Sequence, residues 1–190
     1  VGTIVGAVRR RDVITGDTIR PGDALIGLPS SGLHTNGYSL ARRILFEQCG
    51  LGVQDLLPGT GRRVGAALLA VHRSYLQPVR RLMQAVRIRG MAHITGGGFY
   101  DNVPRVLPGD TDAVFDRAAW RVPALFRFLQ DKGRVDREEM YRVFNMGIGL
   151  VIAVREADGG RALQVLRTAG AAPRVIGRIE KGRGRARLIH

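Results

Sequence analysis

Residues Ile148–Val154 read Ile-Gly-Leu-Val-Ile-Ala-Val, seven positions without a charged or polar side chain. A strand with one wet face alternates apolar and polar residues, so a continuous apolar run of this length is expected of a central strand covered on both faces. The rest of the chain supplies the cover. Helical patterns are read from Leu40, with Ile44 and Leu45 on one side and Arg42 and Arg43 on another, ending at Gly50 and Gly52, and over Val64–Val71, Tyr75–Val86, Asp136–Val143 and Arg161–Ala169. Val122, Leu125, Phe126 and Leu129 keep the i, i+3, i+4, i+7 rule of a further amphipathic helix, with Pro123 suited to its first turn.

Strands are expected at Gly2–Val8, Ala24–Leu28, Met91–Ile94, Ala113–Phe115, Val175–Ile179 and Arg185–Ile189. No internal repeat, linker or low-complexity segment divides the 190 residues, so one α/β-type domain over 1–190 is the economical reading. Hydrophobic residues at 45% and charged residues at 24% exclude a disordered or collagen-like chain. No apolar run approaches the ~20 residues that span a bilayer, and the start lacks a secretory pattern. The single cysteine, Cys49, rules out an internal disulfide and a cysteine-based metal site and fits a reducing, cytoplasmic setting.

The net charge of +14 would attract polyanions. Yet the basic residues are spread along the chain and 28 of the 30 are Arg, as a solvated arginine-rich surface would also give. Only Lys181, Arg183, Arg185 and Arg187 form a patch, whose alternate spacing suits one face of a strand. With no aromatic-rich RNA-binding strand and no zinc-finger spacing, a nucleic-acid partner is not expected.

Three segments share one design, small residues and glycines delivered to the start of a helix or strand: Ser30–Ser39, Thr95–Phe99 and Asn145–Gly149. Glycine admits a ligand close to the backbone, hydroxyls donate, and helix N-termini carry free N–H groups, so such loops suit a phosphate or carboxylate. The same residues also serve as ordinary turns and N-caps. His34 and His93 sit in or beside two of these loops, where an imidazole can donate to an anion or shuttle a proton. His72 falls in a helical stretch and His190 at the end, so a zinc site lacks an obvious third ligand. The chain has no GxxxxGK[ST], no GxGxxG, and only Lys132 and Lys181 as lysines. Asp101, Glu138 and Glu139 are the chief acids nearby and form no evident magnesium cluster.

The runs Gly22–Leu40, containing Ser-Ser-Gly-Leu-His-Thr-Asn-Gly-Tyr-Ser, then Ala92–Phe99 with His-Ile-Thr-Gly-Gly-Gly-Phe, Asn102, Pro104–Pro108 and Phe144–Gly149 closely resemble the C-terminal half of the phosphoribosylformylglycinamidine cyclo-ligase (AIR synthetase) family. The resemblance covers nearly the whole chain. It implies an α+β fold, a mixed sheet with helices packed on it and partly ferredoxin-like. It also implies an ATP-dependent ring closure in purine biosynthesis, in which a phosphorylated amide oxygen of formylglycinamidine ribonucleotide leaves as the aminoimidazole forms. ATP and Mg2+ would be held mainly by an N-terminal half that this chain lacks, and the full enzyme would be a homodimer. The fragment alone would turn over little substrate.

Carried over by position, Ser31, Gly32, His34, Thr35, Asn36 and Gly37 would line the cleft facing the missing half, and His93, Thr95, Gly96, Gly97 and Gly98 would hold the ribose phosphate. His34 and His93 would position substrate or move protons, and Asn145 and Gly147 would shape the cleft floor. Val143, Val71-His72 and Gln77 depart from the family's usual Thr, Pro-Thr and Lys. Alternatives are a sister ATP-dependent enzyme, such as formylglycinamidine ribonucleotide synthetase, selenophosphate synthetase or thiamine-monophosphate kinase, and a noncatalytic phosphate- or RNA-binding module.

Overall fold

The computed structural model describes Thr3 and residues 5–190. The apolar run forms a strand over Ile148–Val154 with every residue buried, as its sequence demands. In chain order the six strands of the main sheet are β1 (Ala24–Pro29), β4 (Gly90–His93), β5 (Thr111–Asp116), β6 (Ile148–Val154), β7 (Arg174–Lys181) and β8 (Ala186–Ile189). Leu56–Leu57 (β2) and Arg62–Arg63 (β3) make a separate two-stranded ribbon. The main sheet runs β4-β6-β1-β7-β5-β8, antiparallel throughout except for the parallel pair β5 and β8. It is therefore a mixed sheet of α+β type, with β6 an interior strand.

Among the described residues seven α-helices accompany it: α1 (Tyr38–Arg42), α2 (Val64–Leu68), α3 (Leu76–Ala85), α4 (Gly98–Asn102), α5 (Ala124–Gly133), α6 (Arg137–Val143) and α7 (Gly159–Thr168). One face of β1 and β6, with Ile26, Leu28, Ile152 and Val154, packs against Leu82 of α3 and Ala162 and Leu166 of α7. The opposite face, with Leu25, Ile148, Val151 and Ala153, joins a larger core built from Phe99, Phe115, Trp120, Phe126 and Phe144. Two apolar layers on one strand explain why β6 shows no alternation. Asp136 accepts the backbone N–H groups of Glu138 and Glu139 and so caps α6, and Pro123 lies just before α5.

Several expectations are corrected. Of the strand expected at Gly2–Val8, Gly2 and Ile4 lie outside the described residues; Thr3 and residues 5–8 form no strand, and Val5 and Val8 are exposed. β-branched composition without a neighbouring strand to pair with does not make a sheet. The helix expected over Val64–Val71 stops at Leu68, leaving His72 in an irregular stretch before α3. α1 passes into a π-helical turn over Arg43–Gln48. The basic quartet does not share a strand face: Lys181 ends β7, Arg187 lies in β8, and Arg183 and Arg185 sit in the turn, their backbone N–H groups donating to Asp112. Among the described residues no helix is long and apolar enough to cross a membrane.

Candidate functional site

The topology brings the three loops to one end of the sheet. β1 and β4 both run antiparallel to β6, so their C-terminal ends meet the start of β6: Pro29 pairs with Ile148 and His93 with Leu150. The ladder continues into the loops, with Ser30 N–H donating to Gly147 O at 2.9 Å and Ile94 N–H to Gly149 O at 2.9 Å.

Asn145, 3% exposed, ties two of the loops together. Its Oδ1 accepts from Ser30 Oγ at 2.8 Å and from the Gly147 N–H at 2.9 Å, while its Nδ2 donates to Gly32 O at 2.8 Å and Leu33 O at 3.3 Å. All four of its hydrogen-bonding positions are used, as a buried amide requires. Asn102 braces the Thr95–Phe99 loop internally, accepting from Thr95 Oγ1 at 2.9 Å and donating to the carbonyls of Thr95, Gly96 and Gly98. The family resemblance includes Asn102 but gives it no place in the site. The Ser30–Ser39 and Thr95–Phe99 loops also approach each other, since a Cβ on Gly96 would lie 3.2 Å from Asn36 Oδ1. Thr35 and Asn36 bond to each other at 3.3 Å at the loop's rim. Gly37 and Gly97 stand in left-handed conformation immediately before α1 and α4, and neither helix start carries a side-chain cap.

His34 is 5% exposed and itself adopts a left-handed backbone. Its Nε2 accepts the Ser31 N–H at 3.1 Å, so in the neutral ring the proton sits on Nδ1, which is buried and meets no partner. The ring of His72 stacks on it at 3.8 Å, and that of His93 lies 6.4 Å from His34 and 5.2 Å from His72. Tyr75 closes the group, its hydroxyl donating to Pro29 O at 3.0 Å. Ser31 Oγ donates to Val71 O at 2.7 Å and holds the His72 stretch against the first loop. Burial, then the neighbouring His72, His93 and Arg73, lower the His34 pKa to about 4. Burial and His72 also lower that of His93. Both rings are neutral at physiological pH. Sequence reading paired His34 with His93 and missed His72, whose only signal was its departure from the family's usual Thr.

Arg117 binds Glu138 and reaches Tyr100 Oη at 3.4 Å, linking the turn that follows β5 to α4 and α6. Glu138 thus supports the Gly98 helix and is not part of a carboxylate cluster. Among the described residues the group of three side chains placed to hold a metal is the histidine set, with no acidic group beside it.

The family described as "AIR synthase related protein, C-terminal domain" matches residues 20–189. The phosphoribosylformylglycinamidine cyclo-ligase of Cupriavidus pinatubonensis is 47% identical over 190 residues, covering 99% of this chain and 53% of the relative. That of Alkaliphilus oremlandii is 40% identical over 181 residues, 95% of this chain and 53% of the relative. The chain spans about half the length of the curated relatives it matches. Among solved structures, the hydrogenase maturation protein HypE superposes with a TM-score of 0.60 at 21% identity, over 91% of this chain and 51% of HypE. The thiamine-monophosphate kinase of Stenotrophomonas maltophilia does so with a TM-score of 0.57 at 14% identity, over 95% and 54%. At these identities the structural likeness carries the fold alone.

Proposed function

The chain belongs to the AIR synthase related protein family, whose C-terminal domain it matches, and from this we propose that residues 1–190 form a single domain, the substrate-side half of a phosphoribosylformylglycinamidine cyclo-ligase. The whole enzyme would close formylglycinamidine ribonucleotide to aminoimidazole ribonucleotide with consumption of ATP, in purine biosynthesis and as a homodimer. The observation that supports this reading best is the convergence of the three loops at one sheet end, locked by Asn145 across more than a hundred residues of sequence.

Within that cleft the geometry supports the following roles. The Ser31 amide occupies Nε2 of His34, so His34 offers Nδ1–H as a donor toward a substrate oxygen and does not act as a base. His93, exposed at the end of β4 and neutral, is the group able to accept a proton. Thr95, Gly96, Gly97 and Gly98 would receive the ribose phosphate, and Ser31, Gly32, Thr35, Asn36 and Gly37 would form the opposite lip, with Asn145 and Gly147 beneath. The described residues do not fit ATP·Mg2+: a magnesium ion wants oxygen ligands, and the cluster present is all imidazole. We therefore place ATP and Mg2+ on the part of the relatives that this chain does not cover.

Calorimetric titration with formylglycinamidine ribonucleotide tests the reading. Saturable one-to-one binding that changes little between low and high salt is expected, because one phosphate in a glycine loop releases few counterions. Failure of the ribonucleotide to bind the chain, both alone and when it is joined to the N-terminal half of a relative, overturns it.

A further inference from the structure

The histidine cluster has a property that a substrate cleft alone does not require. His34 Nδ1 is buried without a partner although the ring lies beneath a second imidazole and near a third. A histidine kept only for packing would have both nitrogens satisfied. One nitrogen from each of His34, His72 and His93 lies within 4.8 Å of the others. We propose that these three side chains bind one transition-metal ion of the zinc class, leaving a fourth coordination position open.

The chemistry selects the ion. Three imidazoles with no carboxylate favour Zn2+, Co2+, Ni2+ or Cu2+ and exclude Mg2+ and Ca2+. Nitrogens bound tetrahedrally to zinc lie about 3.3 Å apart, given bonds of about 2.0–2.1 Å, so the cluster must contract. His72 can do this: it is half-buried on the irregular stretch between α2 and α3, flanked by the exposed Val71 and Arg73. The His34 and His72 rings stack with their planes 29° apart, so ligation requires His72 to turn out of the stack. Ligation through Nδ1 of His34 moves the ring proton to Nε2, which then no longer accepts the Ser31 N–H. Ser31 is half-buried, and water can take over its amide.

The measurement is made on the 190-residue chain after dialysis against a chelator. Zn2+ is titrated in competition with a colorimetric chelator, and Co2+ is followed by its visible absorption, intense only in tetrahedral sites. One equivalent of Zn2+ and a tetrahedral Co2+ spectrum are expected. Removing a partner that merely orients a ligand weakens metal binding by about 10–100-fold, so His72→Ala and His93→Ala should each weaken it by at least about 100-fold. His190→Ala should leave it unchanged. His72→Ala changes a side chain on an irregular surface stretch, and its circular dichroism verifies that the fold persists. Absence of saturable one-equivalent binding overturns the proposal, as does an affinity that His72→Ala leaves intact. The titration uses no ribonucleotide or ATP, so its failure and that of the proposed function are separable.

Discussion

Asn145→Ala removes four hydrogen bonds at once without touching the apolar core. The bonds to Gly147 N–H and Leu33 O are buried, whereas those to Ser30 Oγ and Gly32 O are half-exposed, so water replaces part of the latter. At a net contribution of roughly 0.5–1.5 kcal/mol per bond, with the 3.3 Å bond and the wetter pair discounted, the loss comes to about 3 kcal/mol. For a chain of this size 1 kcal/mol moves the melting temperature by about 2–4 °C, so a drop of roughly 6–12 °C is expected by circular dichroism. Asn145→Asp separates donor from acceptor. It keeps the oxygen that accepts from Ser30 and Gly147, but sets a second oxygen against the carbonyls of Gly32 and Leu33. A buried carboxyl facing carbonyls has a folded-state pKa raised above its unfolded value, so its protonated form favours folding and the deficit grows as pH rises from 4 to 7. A loss under about 1 kcal/mol for Asn145→Ala, or an Asn145→Asp variant indifferent to pH over that span, would refute the claim that this amide welds the loops together.

Gly149→Ala places a methyl group 2.1 Å from Tyr75 Oη and 2.6 Å from His34 Cε1, and should cost about 1–3 kcal/mol in urea denaturation while displacing the histidine cluster. Gly98→Ala meets the Tyr141 carbonyl oxygen at 1.8 Å with φ at +58°, and is expected to unfold at clearly lower urea than Gly96→Ala, whose methyl requires only a small shift of Asn36. Gly96→Ala should fold yet bind formylglycinamidine ribonucleotide more weakly, read by calorimetry. His34, with its folded pKa near 4 against 6.5 unfolded, withholds a proton that the unfolded chain takes up. Wild-type stability should therefore fall as pH drops from about 6.5 to about 4, and His34→Gln should flatten that slope in denaturation curves taken across the window.

What could be read from the chain follows the range of the forces involved. β6 was legible to its exact ends in residues 148–154 because burial on both faces writes itself into consecutive positions. α5 was legible from periodicity and from Pro123 at its start, and α6 as a helical pattern over Asp136–Val143, whose cap by the Asp136 side chain only the structure shows. The three loops were legible as loops from their residues, but only the family resemblance gathered them into one cleft, since their meeting depends on β1 and β4 flanking β6, a pairing no local pattern encodes. His72 was misplaced because apolar residues up to Val71 extend a helical pattern that ends at Leu68; Leu69 and Val71 are exposed. The ribbon β2–β3 was passed over although Pro58-Gly59-Thr60-Gly61 is a turn signal, because two residues per strand give no periodicity to detect.

The glycines show where the inference from sequence to site needed the structure. They were read as room for a ligand's approach, and at several positions that room is filled by the protein itself. A Cβ on Gly37 would enter the Phe144 ring at 2.3 Å, one on Gly98 the Tyr141 carbonyl, and one on Gly147 the Pro123 ring at 2.5 Å. These residues let the loops close onto α5, α6 and their flanking turns, so their requirement is packing. Gly96 and Gly32 differ, with nothing nearer than 3.2 Å and 3.4 Å to the same added atom. An added Cβ therefore finds room only with a small shift at Gly96 and ordinary contact at Gly32, whereas Gly37, Gly98 and Gly147 are required as glycine by the packing of the loops that carry them, whatever those loops bind.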